Sequence, residues 1–202
     1  MRCYVAAFII AAASSAGDLI SLGVPLPVPA ASDEWLRYDD EAACWLTWQG
    51  EFRGVWFDGD DFWGPGGCET DCTEFWFYHD DGYPWDTSAF FAEIYGGGAS
   101  GPLDMFDQST VTASHYAPVL VDYPTPVPCG NDFWIVVHTG MSSGGWPSLL
   151  GDGTPGAEFH SYFSSDGTLW QSWGEGDFII RTHGGMAGLE AETWGSIKAL
   201  LD

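Results

Sequence analysis

Apolar and polar positions alternate in short runs along most of this chain, and the runs are rich in aromatic and β-branched residues. A period of two over four to eight residues is typical of half-buried β-strands. Ten runs are predicted as strands, at residues 35–38, 43–48, 53–57, 73–79, 88–95, 109–116, 119–123, 133–139, 158–163 and 177–182. Almost nothing between residues 35 and 183 has a helical period, so the chain is predicted to be all-β.

The breaks between these runs favour antiparallel pairing. Four Asp-Gly dipeptides, at 58–59, 81–82, 152–153 and 166–167, accept positive φ in tight turns. Longer segments rich in Gly, Ser and Pro, at 96–102, 124–130 and 140–156, predict loops that cross between sheets or line one end of a sandwich. We expect about eight strands in two sheets, a jelly-roll-like antiparallel β-sandwich.

The most aromatic part of the chain, residues 73–95, reads as two strands joined by an acidic loop. Strand alternation sends Phe75 and Phe77 to one face and Trp76 and Tyr78 to the other. We expect the two Phe side chains to point into the core. The opposite face is then aromatic as well, unless other segments cover it.

That opposite face and the loop beside it predict a binding surface, because aromatic rings offer flat faces on which sugar rings stack. The predicted ligand-binding residues are Trp76, Tyr78, Tyr83, Trp85 and Asp86. The expected partner is a glycan or another component of a cell surface.

The two ends of the chain differ from the strand pattern. Residues 1–16 combine one basic residue, an apolar run and small residues at cleavage-site spacing, which is typical of a secretory signal peptide. We therefore expect a secreted or cell-surface protein. Residues 17–34 are predicted as a Pro-rich linker, extended or an edge strand, residues 35–183 as one sandwich domain, and residues 184–202 as a Gly-rich spacer with a short helical tail.

Charge restricts the partners. The chain has 29 Asp+Glu against five Lys+Arg, a formal net charge of −24. A basic patch for phosphates is impossible, so we expect no binding to nucleic acid or to anionic lipid. No segment approaches the roughly 20 apolar residues of a membrane-spanning helix, so no membrane span is expected.

Acidic side chains cluster near both ends of the predicted domain. Ca²⁺ takes six to eight oxygen ligands, and carboxylates in loops supply them. We predict a structural calcium site formed by Asp39, Asp40 and Asp177, where the first and last strands meet. The alternative is that these acids are solvated turn residues.

Four cysteines, Cys44, Cys68, Cys72 and Cys129, remain once the predicted signal peptide is removed together with Cys3. An even number in an exported protein predicts two disulfides, with three pairings open. Cys68 with Cys72 is the preferred pair. A zinc site is disfavoured, because no second Cys or His pair has finger spacing.

No catalytic group is evident. Residues 140–144, GMSSG, match G-x-S-x-G, but the following Gly-Trp-Pro cannot open the helix of a nucleophile elbow, which leaves a flexible loop. The alternative function is a glycosidase-like hydrolase with paired carboxylates, drawn from Glu74, Glu93 and Glu158 on predicted strands. Without a compact acid motif, we expect a non-enzymatic extracellular domain that binds a ligand or serves as a structural element of a cell-surface assembly.

Several short segments together resemble a known type of module. They are RYDD at 37–40, FWFYHDDGYPWDTSAFFAEIY at 75–95, the strand at 132–138, and residues 173–181 with GDFIIR. The chain resembles a recurrent β-sandwich module of secreted bacterial proteins, similar to carbohydrate-binding modules, and ETWGSIKALLD at its end resembles a C-terminal sorting tail. The resemblance implies a jelly-roll-like fold and an extracellular accessory role, and it implies no particular catalytic or binding residues.

Overall fold

A computed structural model describes residues 19–26, 35–46, 51–62, 66–154, 156 and 159–186. The predicted signal peptide and the predicted helical tail lie outside these residues. Within them the chain forms thirteen strands and one short helix. In chain order these are β1 Leu19–Pro25, β2 Trp35–Leu36, β3 Ala42–Leu46, β4 Phe52–Asp58, α1 Gly59–Phe62, β5 Cys68–Tyr78, β6 Ala89–Gly96, β7 Met105–Thr112, β8 Pro118–Gly130, β9 Asp132–His138, β10 Ser148–Gly151, β11 Ser161–Ser164, β12 Gln171–Ser172 and β13 Ile180–Met186.

The strands form two antiparallel sheets. The seven-stranded sheet has the order β1-β3-β10-β5-β13-β2, with β8 paired to β5. The six-stranded sheet has the order β12-β11-β4-β9-β6-β7. The predicted all-β class is therefore confirmed, and the arrangement is compatible with a β-sandwich.

One apolar core receives side chains from both sheets. Phe75 and Phe77 of β5 point into it, as their alternation predicts, and Phe90 of β6 contacts both rings. On the six-stranded side Phe57 stacks on Phe133 at 5.1 Å between ring centroids. Full burial of a Phe side chain stabilises the fold by roughly 1.5–3 kcal/mol, so these rings hold the two sheets together.

A second apolar cluster covers the outer face of the seven-stranded sheet. It is built on buried residues of five segments and includes Leu26, Trp45, Trp76, Leu150 and Ile179. This sheet is therefore apolar on both faces. That explains why β5 carries aromatic side chains on both of its faces.

The Asp-Gly dipeptides do not all adopt the turn that they predict. Gly153 and Gly167 have φ of +74°, as expected for tight turns. Gly59 instead begins α1, and its N–H donates to the Asn131 carbonyl at 2.9 Å. A Cβ on Gly59 would lie 2.6 Å from that oxygen, so the absence of a side chain permits the close approach.

Three strands occupy segments with loop-like or linker-like composition. β1 lies within the predicted linker and pairs with β3, β8 continues through the Pro-rich segment 124–130, and β10 lies within the Gly-rich segment 140–156. Proline is tolerated in β8 because this strand pairs with β5 alone, and its other edge needs no N–H donors.

The preferred Cys68–Cys72 disulfide is wrong. Both residues lie on β5, and a strand rises about 3.3 Å per residue, which carries their Cα atoms well beyond the 4.4–6.8 Å range of a disulfide. Cys44, Cys68, Cys72 and Cys129 are all thiols in this structure, so neither of the two predicted disulfides is present.

Candidate functional site

The loop between β5 and β6, residues 79–86, is the predicted working surface, and its first half is a compact turn. The Tyr83 N–H donates to the Asp80 carbonyl at 2.9 Å, and the Gly82 N–H donates to Asp80 Oδ1 at 2.8 Å. An Asp side chain that accepts from the backbone two residues on stabilises a turn locally. Asp80 therefore fixes the position from which Tyr83 projects.

The second half of the 79–86 loop is fixed by Asp86. Its carboxylate accepts hydrogen bonds from the Ser142 hydroxyl at 2.5 Å, the Ser143 hydroxyl at 2.5 Å and the Ser143 N–H at 2.6 Å. Hydrogen bonds from Ser142 and Ser143 to the charged form hold the pKa of Asp86 well below its usual range. Asp86 thus joins two loops and is not free to face a ligand.

The partner loop, residues 140–147, contains the G-x-S-x-G match. Its Gly145 carbonyl accepts from the Asp86 N–H at 2.9 Å, and a Cβ on Gly145 would lie 2.5 Å from the Pro84 carbonyl oxygen. Glycine is required for this approach. The Ser142 hydroxyl donates to the Asp86 carboxylate, which fits a structural role.

The aromatic rings of the predicted surface gather around Trp45 of β3. Tyr83 meets Trp45 edge to face at 5.3 Å, and Tyr78 of β5 meets it at 5.4 Å. His115 lies 4.9 Å from the Tyr78 ring. Tyr83 is 50% exposed, while Trp45 is buried, so this cluster presents the Tyr83 ring to solvent, beside the exposed His115.

Two of the predicted rings are placed differently. Trp76 is 1% exposed, and its indole N–H donates to Glu74 at 2.8 Å, so it presents no face to a ligand. Trp85 is half-buried, packing edge-on against core residue Phe77 at 6.4 Å and His79 at 5.3 Å. The structure therefore brings Tyr78 and Tyr83 together, places Trp85 beyond His79, and removes Trp76 from the surface.

Three buried indole N–H groups near these loops lack a hydrogen-bond acceptor within the described part of the chain. They belong to Trp45, Trp85 and Trp146. A buried donor without a partner costs about 1–3 kcal/mol.

The predicted calcium ligand Asp39 is already paired with a buried cation. Both of its oxygens accept from Arg181, from Nη2 at 2.7 Å and from Nε at 2.9 Å. Arg181 Nη1 also donates to Glu74 at 3.0 Å. All three side chains are buried, so the Asp39 carboxylate is engaged by a bidentate ion pair.

The other two predicted calcium ligands lie nearby with protein partners of their own. Asp40 accepts from the Thr154 hydroxyl at 2.8 Å, and Asp177 accepts from the Ser161 hydroxyl at 2.9 Å. Asp152 links them, accepting from the Asp40 N–H at 3.0 Å and the Asp177 N–H at 2.8 Å. Burial, together with the neighbouring Asp152 and Asp39 charges, raises the pKa of Asp177 to about 6, against the lowering effect of the Ser161 hydrogen bond and of His160.

No group of three or more His, Cys, Asp or Glu arranged to hold a metal ion occurs among the residues described. Asp39, Asp40 and Asp177 are close in the fold, as predicted, but each carboxylate accepts hydrogen bonds from protein groups. Calcium binding at these three residues stays a prediction.

A polar cluster that the strand pattern did not single out lies on the outer face of the six-stranded sheet. Glu93 of β6 is 1% exposed and accepts from Gln108 at 2.8 Å and from Tyr95 at 2.8 Å, with His138 Nδ1 at 2.9 Å. Burial raises the pKa of Glu93, but the bonds from His138, Gln108 and Tyr95 outweigh it and hold the pKa below its ordinary value. Phe52 stacks on the His138 ring at 4.1 Å and covers the cluster.

Two of the three carboxylates proposed for a hydrolase, Glu74 and Glu93, do not form a pair in one cleft. Glu74 and Glu93 alternate with core residues of β5 and β6, so they lie on opposite outer faces of the two packed sheets. Glu158 lies outside the described residues. Two catalytic carboxylates must stand about 5–10 Å apart across a bound sugar, which Glu74 and Glu93 do not satisfy.

Sequence reasoning missed Trp45, Ser142 and His138 as contributors to these surfaces. Trp45 and His138 stand at alternate positions to core residues of their strands, which is the signal that places them on outer faces. The Ser142 contact depends on two loops that meet only in the folded chain. Local pattern carries no information on such a contact.

No helix in the described segments is long and apolar enough to span a bilayer. Comparison of the chain with protein-family models, curated protein sequences and solved structures gave no significant match. The resemblance to a secreted bacterial module therefore stays a prediction.

Proposed function

We propose that this protein is a non-catalytic, exported domain with a jelly-roll-like sandwich that binds a glycan of a cell surface or matrix. The observation that carries the proposal is the half-exposed Tyr83 ring, seated on Trp45 in a turn fixed by Asp80. A ring held in one orientation loses little conformational freedom when a sugar stacks on it. This gives an aromatic binding group on a rigid support.

An acceptor for sugar hydroxyls lies in the same loop as that ring. Asp81 is exposed beside Tyr83 in the 79–86 loop. Carboxylates accept hydrogen bonds from hydroxyls. The loop thus combines a stacking face with a polar acceptor, which is the composition of many small-molecule sites.

Charge narrows the glycan class. With a net charge of −24, the protein repels sulfated and uronic-acid polymers. A neutral or amino-substituted glycan is therefore the expected ligand. Added salt is expected to weaken the binding of a cationic glycan and to leave that of a neutral one nearly unchanged.

An array of neutral, cationic and anionic glycans, probed with the purified chain with and without calcium, tests this proposal. We expect signal on neutral or amino-substituted glycans. Binding confined to anionic glycans, or to none, would contradict it. Release of reducing sugar from any bound glycan would support the hydrolase alternative instead.

A further inference from the structure

Cys68 and Cys129 face each other across the paired ends of β5 and β8. Cys68 pairs with Gly130, and Glu69 pairs with Pro128, so Cys129 is the extra residue of a β-bulge opposite Cys68. Both side chains are 1% exposed and belong to the core between the sheets. Two cysteines therefore meet in a fully buried position.

The two thiols lie within hydrogen-bonding reach of each other. The Cys68 thiol donates a hydrogen bond to Cys129, and this bond, together with burial, raises the pKa of Cys68. The Cys129 thiol in turn donates to the Val127 carbonyl at 3.2 Å. Neighbouring strands lie about 4.8 Å apart, within reach of the Cα separations that disulfides span.

Within the described residues, neither Cys44 nor Cys72 lies opposite another cysteine in the register of the strands. Cys44 of β3 lies opposite Ser21 and Gly151, and its thiol donates to the Asp152 carbonyl at 3.2 Å. Cys72 lies between Asp122 of β8 and His183 of β13. The register of the sheet leaves Cys68 and Cys129 as the pair that can be joined without moving a strand.

We propose that Cys68 and Cys129 form the single disulfide of this domain when the protein folds under oxidising conditions, and that Cys44 and Cys72 stay thiols. The proposal does not depend on glycan binding. It replaces two predicted disulfides with one, at a pairing that spacing along the chain did not favour.

The oxidation needs an external disulfide, for which oxidised glutathione serves. The Cys68 thiolate attacks one glutathione sulfur, which forms a mixed disulfide and releases one glutathione thiolate. The Cys129 thiolate then attacks the Cys68 sulfur and releases the second glutathione. Two thiols are oxidised, one glutathione disulfide is reduced, and the two thiol protons end on the released glutathione.

Because both sulfurs are buried, reaction is fast during folding and slow in the native dithiol. The full chain is therefore unfolded, reduced and refolded in a buffer of reduced and oxidised glutathione at pH 8. Remaining thiols are alkylated, and peptides are mapped by mass spectrometry with and without reduction. We expect a linked peptide pair containing Cys68 and Cys129, with Cys44 and Cys72 alkylated.

Thermal unfolding provides a second measurement. The cross-link closes a loop of about 60 residues, so the oxidised protein should melt about 10 °C above the reduced protein. Cys44→Ala should keep this difference, whereas Cys129→Ala should remove it. Complete alkylation of Cys68 and Cys129 after oxidative refolding, or a linkage of either to Cys44 or Cys72, would overturn the proposal.

Discussion

Arg181 shows how a strongly acidic chain uses a scarce cation. Its guanidinium lies at the centre of a buried cluster, donating to both oxygens of Asp39 and to Glu74, which also accepts from Trp76. The chain has only five Lys+Arg, and Arg53 is buried as well as Arg181. Two of the three basic residues in the described part of the chain are therefore buried, and Arg181 neutralises two interior carboxylates.

Removal of that cation is expected to destabilise the fold strongly. Arg181→Met would leave Asp39 and Glu74 buried without their partner, at a cost of about 3–5 kcal/mol in the free energy of unfolding. Arg37→Met is the matched control, because its pair with Glu41 is partly exposed, and it should cost under about 1 kcal/mol. Urea unfolding at pH 7 measures the free energy of unfolding of both variants. Equal losses of stability would contradict the role of Arg181 in neutralising Asp39 and Glu74.

Asp177 is expected to make stability depend on pH. Its pKa is about 6 in the folded protein against about 3.9 in an unfolded chain, so ionisation costs more in the folded state. Stability from the protonated acid is complete below about pH 4 and is lost as pH rises through 6. Asp177→Asn keeps an acceptor for Ser161 and should be more stable than the wild type by about 1–3 kcal/mol at pH 7.5.

Unfolding curves of the two proteins between pH 4 and 8 test this expectation. The difference should vanish near pH 4, and the exposed Asp104→Asn should show no such dependence. Calcium binding at Asp177 would give a different result. If Asp177 binds calcium, the wild type melts higher in calcium than in chelator, and Asp177→Asn loses that increment.

At the scale of the elements, local pattern predicts the strands whose alternation is strong. Phe75 and Phe77 were predicted to point inward, and they do. β8 and β10 could not be predicted through their Pro-rich and Gly-rich parts, because their pairing depends on strands from distant parts of the chain. β8 pairs with β5, and β10 lies between β3 and β5. Strand propensity is a property of one segment, whereas pairing also depends on the segment that lies beside it in the sheet.

The Asp86 contacts are expected to couple the 79–86 loop to the 140–147 loop. Asp86→Ala removes the acceptor for Ser142 and Ser143, so both loops should exchange amide hydrogens faster. The melting temperature should shift by no more than about 2 °C, because this carboxylate is exposed. Asp81→Ala is the matched control, and faster exchange confined to one loop would contradict the coupling.

At the scale of the whole molecule, the second apolar cluster marks the limit of what the sequence predicts about the candidate site. The sequence identifies an aromatic and acidic loop after β5, and the structure places Tyr83 on the surface there. It could not show that Trp76 is covered, because its neighbours Trp45, Leu150 and Ile179 come from distant segments. The face of β5 that was predicted to bind is therefore largely a second core, and the proposed binding is confined to the loop at its end.

The central claim is that Tyr83 is the stacking ring of a glycan site, and titration calorimetry on one matched pair of variants tests it most directly. The ligand is the neutral or amino-substituted glycan with the strongest array signal. Tyr83→Ala should weaken binding about tenfold, since loss of an aromatic contact costs about 1.4 kcal/mol. Phe159→Ala, which removes an equally exposed ring elsewhere, should bind like the wild type. Equal affinities of all three proteins for the glycan would contradict the account.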